Sequence, residues 1–243
     1  MPNDFLTSKT VLITGANRGL GRALVDAALD HGAQRVYAAA RNPVIHPDER
    51  VVPLRLDITD AAQIELAAKT VEELDVLVNN AGAASFAEIG DRAELERMLA
   101  VNLYGPYDVS HAFRHHLGAS RGTLVNVLST SAVAAVPVLP AYSISKAAAY
   151  SLAQVLRALL APNGVRVHAV LAGPLDTDMS QDLDIPKTAP EAVAAEILAA
   201  VADGVEDIFP DPFAATLAQG WADAPVTVMQ RAAAGMVAGT AAA

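Results

Sequence analysis

The sequence contains no cysteine among its 243 residues. This absence excludes a disulfide scaffold, a thiolate metal site and a cysteine nucleophile. Positive charge is also scarce, because 17 lysines and arginines stand against 27 aspartates and glutamates, which gives a formal net charge of -10. A general nucleic-acid-binding protein needs a basic face, so this balance argues against nucleic acid as a partner.

Long apolar runs are missing as well, so no segment is predicted to span a membrane, and the polar N-terminus lacks the pattern of a signal peptide. The apolar content of 53% argues against disorder. We therefore expect a cytoplasmic protein with one domain over residues 1–243. Within it, residues 175–190 form a candidate substrate lid and residues 210–243 a loosely patterned C-terminal tail.

Apolar β-branched runs alternate along the chain with segments of helical periodicity. This alternation predicts an α/β fold with a parallel sheet covered by helices on both faces. The predicted strands are 10–14, 35–40, 51–56, 76–78, 123–128, 165–171 and a short 208–209. The predicted helices are 19–30, 60–71, 94–117, 141–161 and 191–202.

A glycine-rich turn joins the first strand to the first helix. Gly15 allows a tight turn, Gly19 lets the backbone approach a pyrophosphate, and Gly21 permits close packing of helix and strand. The N-terminus of the helix adds free N–H groups and the positive end of a dipole. No Gly-Lys-Ser/Thr follows, which excludes an ATP-type phosphate loop, so the pattern predicts a dinucleotide site.

The end of the second strand indicates which dinucleotide is bound. An acidic residue there would bind the ribose 2′-hydroxyl of NAD, but the strand ends in three alanines and Arg41. Arg41 and Arg18 are both suited to a 2′-phosphate, which predicts NADP(H). The alternative is that Arg41 is only a solvated charge at a strand end.

Tyr142 and Lys146 stand four residues apart, so a helix would place them on one face. A cation near a phenol stabilises the phenolate and lowers its pKa, as a general acid or base near neutral pH requires. Ser129 lies thirteen residues before Tyr142, at the end of the fifth predicted strand, where it would orient a substrate oxygen. Ser131 is a rival for that role.

The order and spacing of these motifs resemble the short-chain dehydrogenase/reductase family, in its single-domain, NADP-preferring, carbonyl reductase-like branch. The resemblance covers residues 10–179 and implies a doubly wound Rossmann-type parallel sheet of about seven strands. Besides the motifs above, it rests on the sequence after the fourth strand (79–82), Asn102 and the segment 173–177.

The resemblance also implies roles for individual residues. Tyr142 would donate the proton, Lys146 would lower its pKa and bind the nicotinamide ribose, and Ser129 would orient the substrate. Asn102 would hold a water that joins Lys146 to solvent, and Asp57 would contact the adenine. The implied cofactor-binding residues are Gly15, Asn17, Arg18, Gly19, Leu20, Gly21, Arg41, Asp57, Ile58, Asn79, Ala81, Gly82, Tyr142, Lys146, Pro174, Leu175 and Thr177.

One part of the Asn102 role follows from the residues themselves. Pro106 has no N–H, so in a helix the Asn102 carbonyl, four positions earlier, loses its usual donor. A kink there would leave that carbonyl free to hold a water. The alternative is a plain proline kink beside a solvated asparagine.

These observations predict an NADP(H)-dependent oxidoreductase that interconverts a ketone or aldehyde and an alcohol. The apolar residues in 131–140 favour a neutral, apolar small-molecule substrate. A catalytically idle cofactor-binding sensor or scaffold is the alternative, although such proteins usually lack the tyrosine or the lysine. An isomerase or epimerase is disfavoured because there is no room for a substrate domain.

Metal binding and assembly are the remaining expectations. His111 and His115 have a spacing that could chelate a metal, but their segment reads as a solvated or interface face, so we expect no metal site.

The family resemblance suggests a homodimer or homotetramer, with the helices at 94–117 and 141–161 facing partners. Ala147, Ala148, Ala149 and Ala153 would permit close packing there, or would pack within one subunit.

Overall fold

Seven parallel strands form one sheet in the order β3-β2-β1-β4-β5-β6-β7. The structure is a computed structural model that describes residues 4–86, 88–181 and 184–224. The strands are β1 Thr10–Thr14, β2 Arg35–Ala40, β3 Val51–Arg55, β4 Val76–Asn79, β5 Thr123–Val127, β6 Arg166–Val170 and β7 Asp207–Ile208. The predicted Rossmann-type sheet and its strand positions are therefore confirmed.

Helices cover both faces of this sheet. They are α1 Gly19–Asp30, α2 Ala61–Thr70, α3 Arg92–Leu99, α4 Gly105–Ser120, α5 Pro140–Leu160, α6 Pro190–Ala202 and α7 Pro212–Ala218. The Asp60 side chain caps α2 by accepting from the N–H groups of Ala62 and Gln63. No helix in the described part of the chain combines the length and hydrophobicity needed to cross a membrane.

The two faces of the sheet build separate parts of the core because successive strand side chains point to opposite sides. Val11 and Ile13 of β1 pack in the cluster that contains the buried residues of α1 and α6. Leu12, between them, belongs to the cluster that contains Phe113 and Leu117 of α4. The strands are thus buried on both sides, which explains their nearly continuous apolar sequences.

The prediction of a single helix over 94–117 is wrong in one respect. The structure has α3 and α4 joined by a π-helical segment, Ala100–Tyr104, in which the Gly105 N–H donates to the Ala100 carbonyl. The widened turn lies directly before Pro106, where an α-helical bond to the Asn102 carbonyl is chemically unavailable. The sequence locates this irregularity correctly but does not predict its form.

The segment after Pro210 also differs from the expectation of a loosely patterned tail. It contains α7 and a 3₁₀ turn, Trp221–Asp223. The Trp221 indole donates to Asp207 Oδ2 at 2.9 Å, which fastens this segment to β7. Residues 225–243 of the predicted tail and 182–183 of the predicted lid lie outside the described residues.

Candidate active site

The strand order brings the loops after β1, β4 and β5 together at the carboxyl edge of the sheet. β1 pairs with β2 on one side and with β4 on the other, so the chain reverses its direction of strand addition at β1. Ligands of open parallel sheets bind in the crevice at such a point. The glycine turn and the Tyr142–Lys146 segment both lie at this edge.

The glycine turn forms a cradle that has no room for side chains. A Cβ on Gly21 would collide with the Gly15 carbonyl and would lie 2.6 Å from Asn80 Nδ2. Gly15 has a φ of +68°, and a Cβ there would lie 2.9 Å from Ala81 Cα. Arg18 is the N-cap of α1 and its side chain makes no cap bond, so the first N–H groups of the helix remain available to an anion.

Asn80 and Thr14 hold this cradle, and the sequence reasoning gave neither of them a role. Asn80 Nδ2 donates to the Thr14 carbonyl at 2.8 Å and to the Gly15 carbonyl at 3.3 Å. Thr14 Oγ1 accepts from the N–H groups of Asn80 and Ala81, both at 3.0 Å. The available signal was the position of Asn80 in the motif 79–82, beside the predicted strand.

Ser129, Tyr142 and Lys146 are brought together as predicted. Ser129 follows β5, and its side chain is hydrogen-bonded to that of Tyr142 in α5. Lys146 lies one helical turn further along, with Nζ 5.7 Å from the centroid of the Tyr142 ring. Lys146 Nζ also donates to the Val127 carbonyl at 3.0 Å, which fixes the ammonium beneath the end of β5. The rival Ser131 is buried, and its hydroxyl has no hydrogen-bond partner among the described residues.

Burial shifts the pKa values of two groups in this cluster. Burial raises the pKa of Tyr142, and the hydrogen bond with Ser129 acts in the opposite direction. Burial also lowers the pKa of Lys146 to about 8, because the ammonium is removed from water. The prediction that Lys146 lowers the pKa of Tyr142 remains a prediction.

Asn102 ties the π-helical segment to the site through its side chain. Its Oδ1 accepts from the Ala83 N–H at 2.9 Å, and its Nδ2 donates to the Ala83 carbonyl and to Ser145 Oγ, both at 2.9 Å. Ser145 Oγ in turn donates to the Tyr142 carbonyl at 2.7 Å. Asn102 therefore connects the loop after β4 to the helical turn that carries Tyr142 and Lys146.

Arg18 and Arg41 are both exposed near the glycine turn. Arg18 NH1 lies 2.6 Å from Asp178 Oδ2. The Asn17 side chain donates to the Asn42 carbonyl, which joins the glycine turn to the segment after β2. The end of β2 carries no carboxylate.

Several predicted cofactor residues turn their side chains away from the crevice. Asn79 is buried, and its Nδ2 donates to Ser110 Oγ at 2.9 Å and to Asn126 Oδ1 at 3.0 Å. Leu20 and Ile58 are buried in the core. Asp57 Oδ1 accepts from Thr59 Oγ1 at 2.7 Å.

The segment 173–181 lies against the glycine turn. Thr177 sits beside Gly19, since a Cβ on that glycine would lie 3.1 Å from Thr177 Cγ2. Leu175 forms a bridge with Thr188, and Pro174 is partly buried before it. Gly82 lies next to Lys146, since a Cβ on Gly82 would lie 3.6 Å from Lys146 Nζ.

Two other sequence features lie apart from this site. His111 Nε2 lies 2.8 Å from Arg114 NH1, a cation that disfavours a metal on that face. The run Gly118–Gly122 matches the G-x-S-x-G pattern of hydrolase nucleophiles, but it ends α4 and precedes β5 instead of joining a strand to a helix. Ser120 Oγ donates to the Leu74 carbonyl at 2.8 Å and serves as a structural bond.

Comparisons with known proteins agree with this geometry. The sequence model of the family described as short chain dehydrogenase matches residues 9–187. The short chain dehydrogenase pigC of Monascus ruber is 36% identical over 72% of this chain and 65% of that protein, just under two thirds of its length. The 2-(S)-hydroxypropyl-CoM dehydrogenase 3 of Xanthobacter autotrophicus is 33% identical over 79% of this chain and 82% of that protein.

A solved structure is similar over nearly the whole chain. It is a short chain dehydrogenase from Burkholderia cenocepacia in complex with NADP, with a TM-score of 0.86 and 35% identity. The similarity covers 93% of this chain and 97% of that chain.

Proposed function

The chain belongs to the short-chain dehydrogenase/reductase family, and from that premise we propose that it is an NADP(H)-dependent oxidoreductase that interconverts a ketone or aldehyde and an alcohol. The observation that carries this proposal is the contact of Ser129 with Tyr142 one helical turn from Lys146, at the sheet edge that also holds the glycine cradle. The presence of all three side chains disfavours a catalytically idle sensor.

The residues present fit a nicotinamide dinucleotide. The cradle between Gly15, Gly21 and Ala81 is closed to any Cβ, and the N-terminus of α1 offers N–H groups to a pyrophosphate. Arg18 and Arg41 are exposed beside it, and β2 ends without a carboxylate, which favours a 2′-phosphate. The Burkholderia relative, whose complex contains NADP, supports the same choice.

When bound, the nicotinamide supplies or accepts a hydride. The chain's own residues handle the proton and the orientation of the substrate. In reduction, the Tyr142 hydroxyl donates its proton to the carbonyl oxygen, and the Ser129 hydroxyl holds that oxygen by a hydrogen bond. The Lys146 ammonium stabilises the negative charge that develops on the phenol. In the direction of alcohol oxidation, Tyr142 accepts the proton.

The segments that follow β4, β5 and β6 at the carboxyl edge of the sheet favour a neutral, apolar substrate. Phe86, Ile89 and Val138 are exposed on the loop after β4 and on the segment before α5, and Met179 is half exposed on the segment after β6. A carboxylate or phosphate substrate would need a cation here, whereas exposed apolar groups favour an apolar carbonyl compound. The Xanthobacter relative, named as a dehydrogenase of a hydroxypropyl compound, is consistent with a secondary alcohol as one partner of the reaction.

We further propose a cytoplasmic homo-oligomer, a dimer or a tetramer. Tyr104 and Tyr107 are exposed at the start of α4, and Val155 and Leu159 are exposed on α5. Exposed apolar groups on helices of this length favour a second subunit as the partner that covers them.

Following the nicotinamide absorbance tests the proposal. The purified protein is assayed with NADPH and with NADH against a panel of ketones, aldehydes and quinones. We expect kcat/KM to be at least about tenfold higher with NADPH, which corresponds to about 1.4 kcal/mol from contacts with the 2′-phosphate. Equal values for the two cofactors would remove the roles given to Arg18 and Arg41.

A tyrosine variant tests the chemistry in the same assay. Tyr142→Phe is expected to retain NADPH binding, measured by fluorescence, and to lose about a hundredfold or more in kcat, because the proton donor is removed. Tyr107→Phe, which deletes an exposed hydroxyl on α4, serves as the control and should retain wild-type turnover. Near wild-type kcat in Tyr142→Phe would overturn the catalytic assignment.

A further inference from the structure

Arg18, which the proposed function assigns to the 2′-phosphate, forms an ion pair with a carboxylate. Arg18 NH1 lies 2.6 Å from Asp178 Oδ2, and both side chains are about two-thirds exposed, at 70% and 68%. A guanidinium binds carboxylate and phosphate oxygens through the same N–H groups. Asp178 and a phosphate would therefore compete for Arg18.

The backbone on both sides holds Asp178 in this place. Asp178 begins a 3₁₀ turn, Asp178–Ser180, in which the Ser180 N–H donates to the Thr177 carbonyl at 3.0 Å. Thr177 itself packs against Gly19 next to Arg18. The Ser180 hydroxyl bonds to the carbonyls of Leu175 and Thr177. The carboxylate is thus presented to Arg18 by an ordered turn that is fastened to the glycine loop.

The cleft between α1 and this turn is acidic overall. Its lining includes two arginines, Arg18 and Arg22, and four carboxylates, Asp26, Asp176, Asp178 and Glu191. Arg22 is bound to Asp26 at 3.1 Å, so both arginines of the cleft have a carboxylate partner. These carboxylates repel a polyanion that binds beside Arg18.

We infer that Asp178 is a specificity-determining residue that weakens binding of the 2′-phosphate by holding Arg18. This inference rests on the proposed NADP(H) site. The competition is expected to cost about 1.4-fold to fivefold in affinity for a 2′-phosphorylated ligand, which corresponds to the ~0.2–1 kcal/mol that an exposed ion pair contributes. Ligands without that phosphate do not need Arg18, and Asp178 would leave their affinity nearly unchanged.

Calorimetry with two adenosine nucleotides tests this directly, without turnover. The ligands are adenosine 2′,5′-bisphosphate and adenosine 5′-monophosphate, and the variants are Asp178→Asn and its matched control Asp176→Asn, which removes the same charge from the same cleft. We expect Asp178→Asn to bind the bisphosphate about 1.4-fold to fivefold more tightly and the monophosphate with nearly unchanged affinity. Asp176→Asn should have a much smaller effect on the bisphosphate.

A double-mutant cycle with Arg18→Gln identifies the partner. In that background Asp178→Asn should no longer improve bisphosphate binding, because the competition has been removed. Equal gains in the two aspartate variants would show a general field effect and overturn the inference, as would an unchanged or weaker affinity in Asp178→Asn. If the wild type does not favour the bisphosphate over the monophosphate, the NADP(H) proposal itself fails. If it does favour the bisphosphate and Asp178→Asn shows no gain, only the role of Asp178 fails.

Discussion

The imidazole of His168 is a single buried group whose environment opposes its charge. His168 lies in β6 with 1% of its surface exposed. Its Nδ1 is 2.6 Å from the Val205 carbonyl, so this nitrogen carries the proton and donates. Within the part of the chain that the structure describes, Nε2 has no hydrogen-bond partner. Burial, aided by the charges of Arg166 and Arg157, lowers the pKa of His168 to about 4.

This low pKa predicts a specific loss of stability in acid. The unfolded chain takes up a proton at His168 near pH 6.5, whereas the folded protein does so only near pH 4. The stability is therefore complete above pH 6.5 and falls by up to about 3 kcal/mol as the pH drops through this window. Urea unfolding at several pH values measures it.

The variant His168→Asn isolates the contribution of this residue. Its amide can still donate to Val205, and it does not titrate, so its free energy of unfolding should fall less between pH 6.5 and 4 than that of the wild type. His111→Asn, on an exposed face of α4, should follow the wild-type curve. Parallel curves for His168→Asn and wild type would contradict the assignment.

The residues of the candidate site were predictable to different degrees. Spacing alone places Ser129 next to Tyr142, because a strand end and a helix start are fixed positions in a parallel sheet. The direction of a side chain at a strand end was not predictable. Asn79 turns inward to Ser110 while its neighbour Asn80 turns to the glycine loop, and only the packed structure distinguishes the two.

Secondary structure elements followed the sequence closely where a strong local signal existed. β1, β2 and α1 begin and end at the predicted residues, since β-branched runs, glycine and helical periodicity mark their limits. The π-helical segment was not predictable in form, because a missing N–H at Pro106 permits several local rearrangements. α7 has only seven residues, too few for a periodic pattern to show.

Two helical glycines provide a matched test of the glycine cradle. Gly21→Ala places a methyl group against the Gly15 carbonyl and Asn80 Nδ2, so we expect a lower melting temperature and strongly weakened NADPH binding. In Gly118→Ala of α4, the nearest atom to the new methyl group is Asn163 Cβ at 3.8 Å. This control should be unchanged or stabilised by up to about 1 kcal/mol, since alanine favours a helix.

Thermal unfolding and NADPH fluorescence separate the two variants. Gly21→Ala would contradict the cradle if it bound NADPH with wild-type affinity, whatever its melting temperature. A similar loss of stability in both variants would indicate that any added methyl group disturbs the helices.

On the scale of the whole molecule, the structure narrows the surface proposed for assembly. Ala149 and Ala153 of α5 are buried against the subunit's own core, so they are not available to a partner. Ala147 is exposed, as are Ile144, Val155 and Leu159. The proposed contact therefore uses this outward stripe of α5 instead of the full set of alanines.

A charge on this stripe tests the proposed assembly. Leu159→Glu should shift the mass measured by light scattering to that of one subunit, because a carboxylate would be buried without a partner at the contact. Leu66→Glu, on α2 and 64% exposed, is the control and should keep the wild-type mass. A wild-type mass of one subunit would refute the proposed oligomer.

The bonds from Asn80 to Thr14 and Gly15 span more than sixty positions of the chain. The glycine loop is therefore shaped by a long-range contact as well as by its own glycines. During synthesis every glycine of the motif emerges well before β4, and the loop takes its final shape only once β4 has paired with β1. A nascent chain ending before Val76 would contain the complete motif and still bind no dinucleotide.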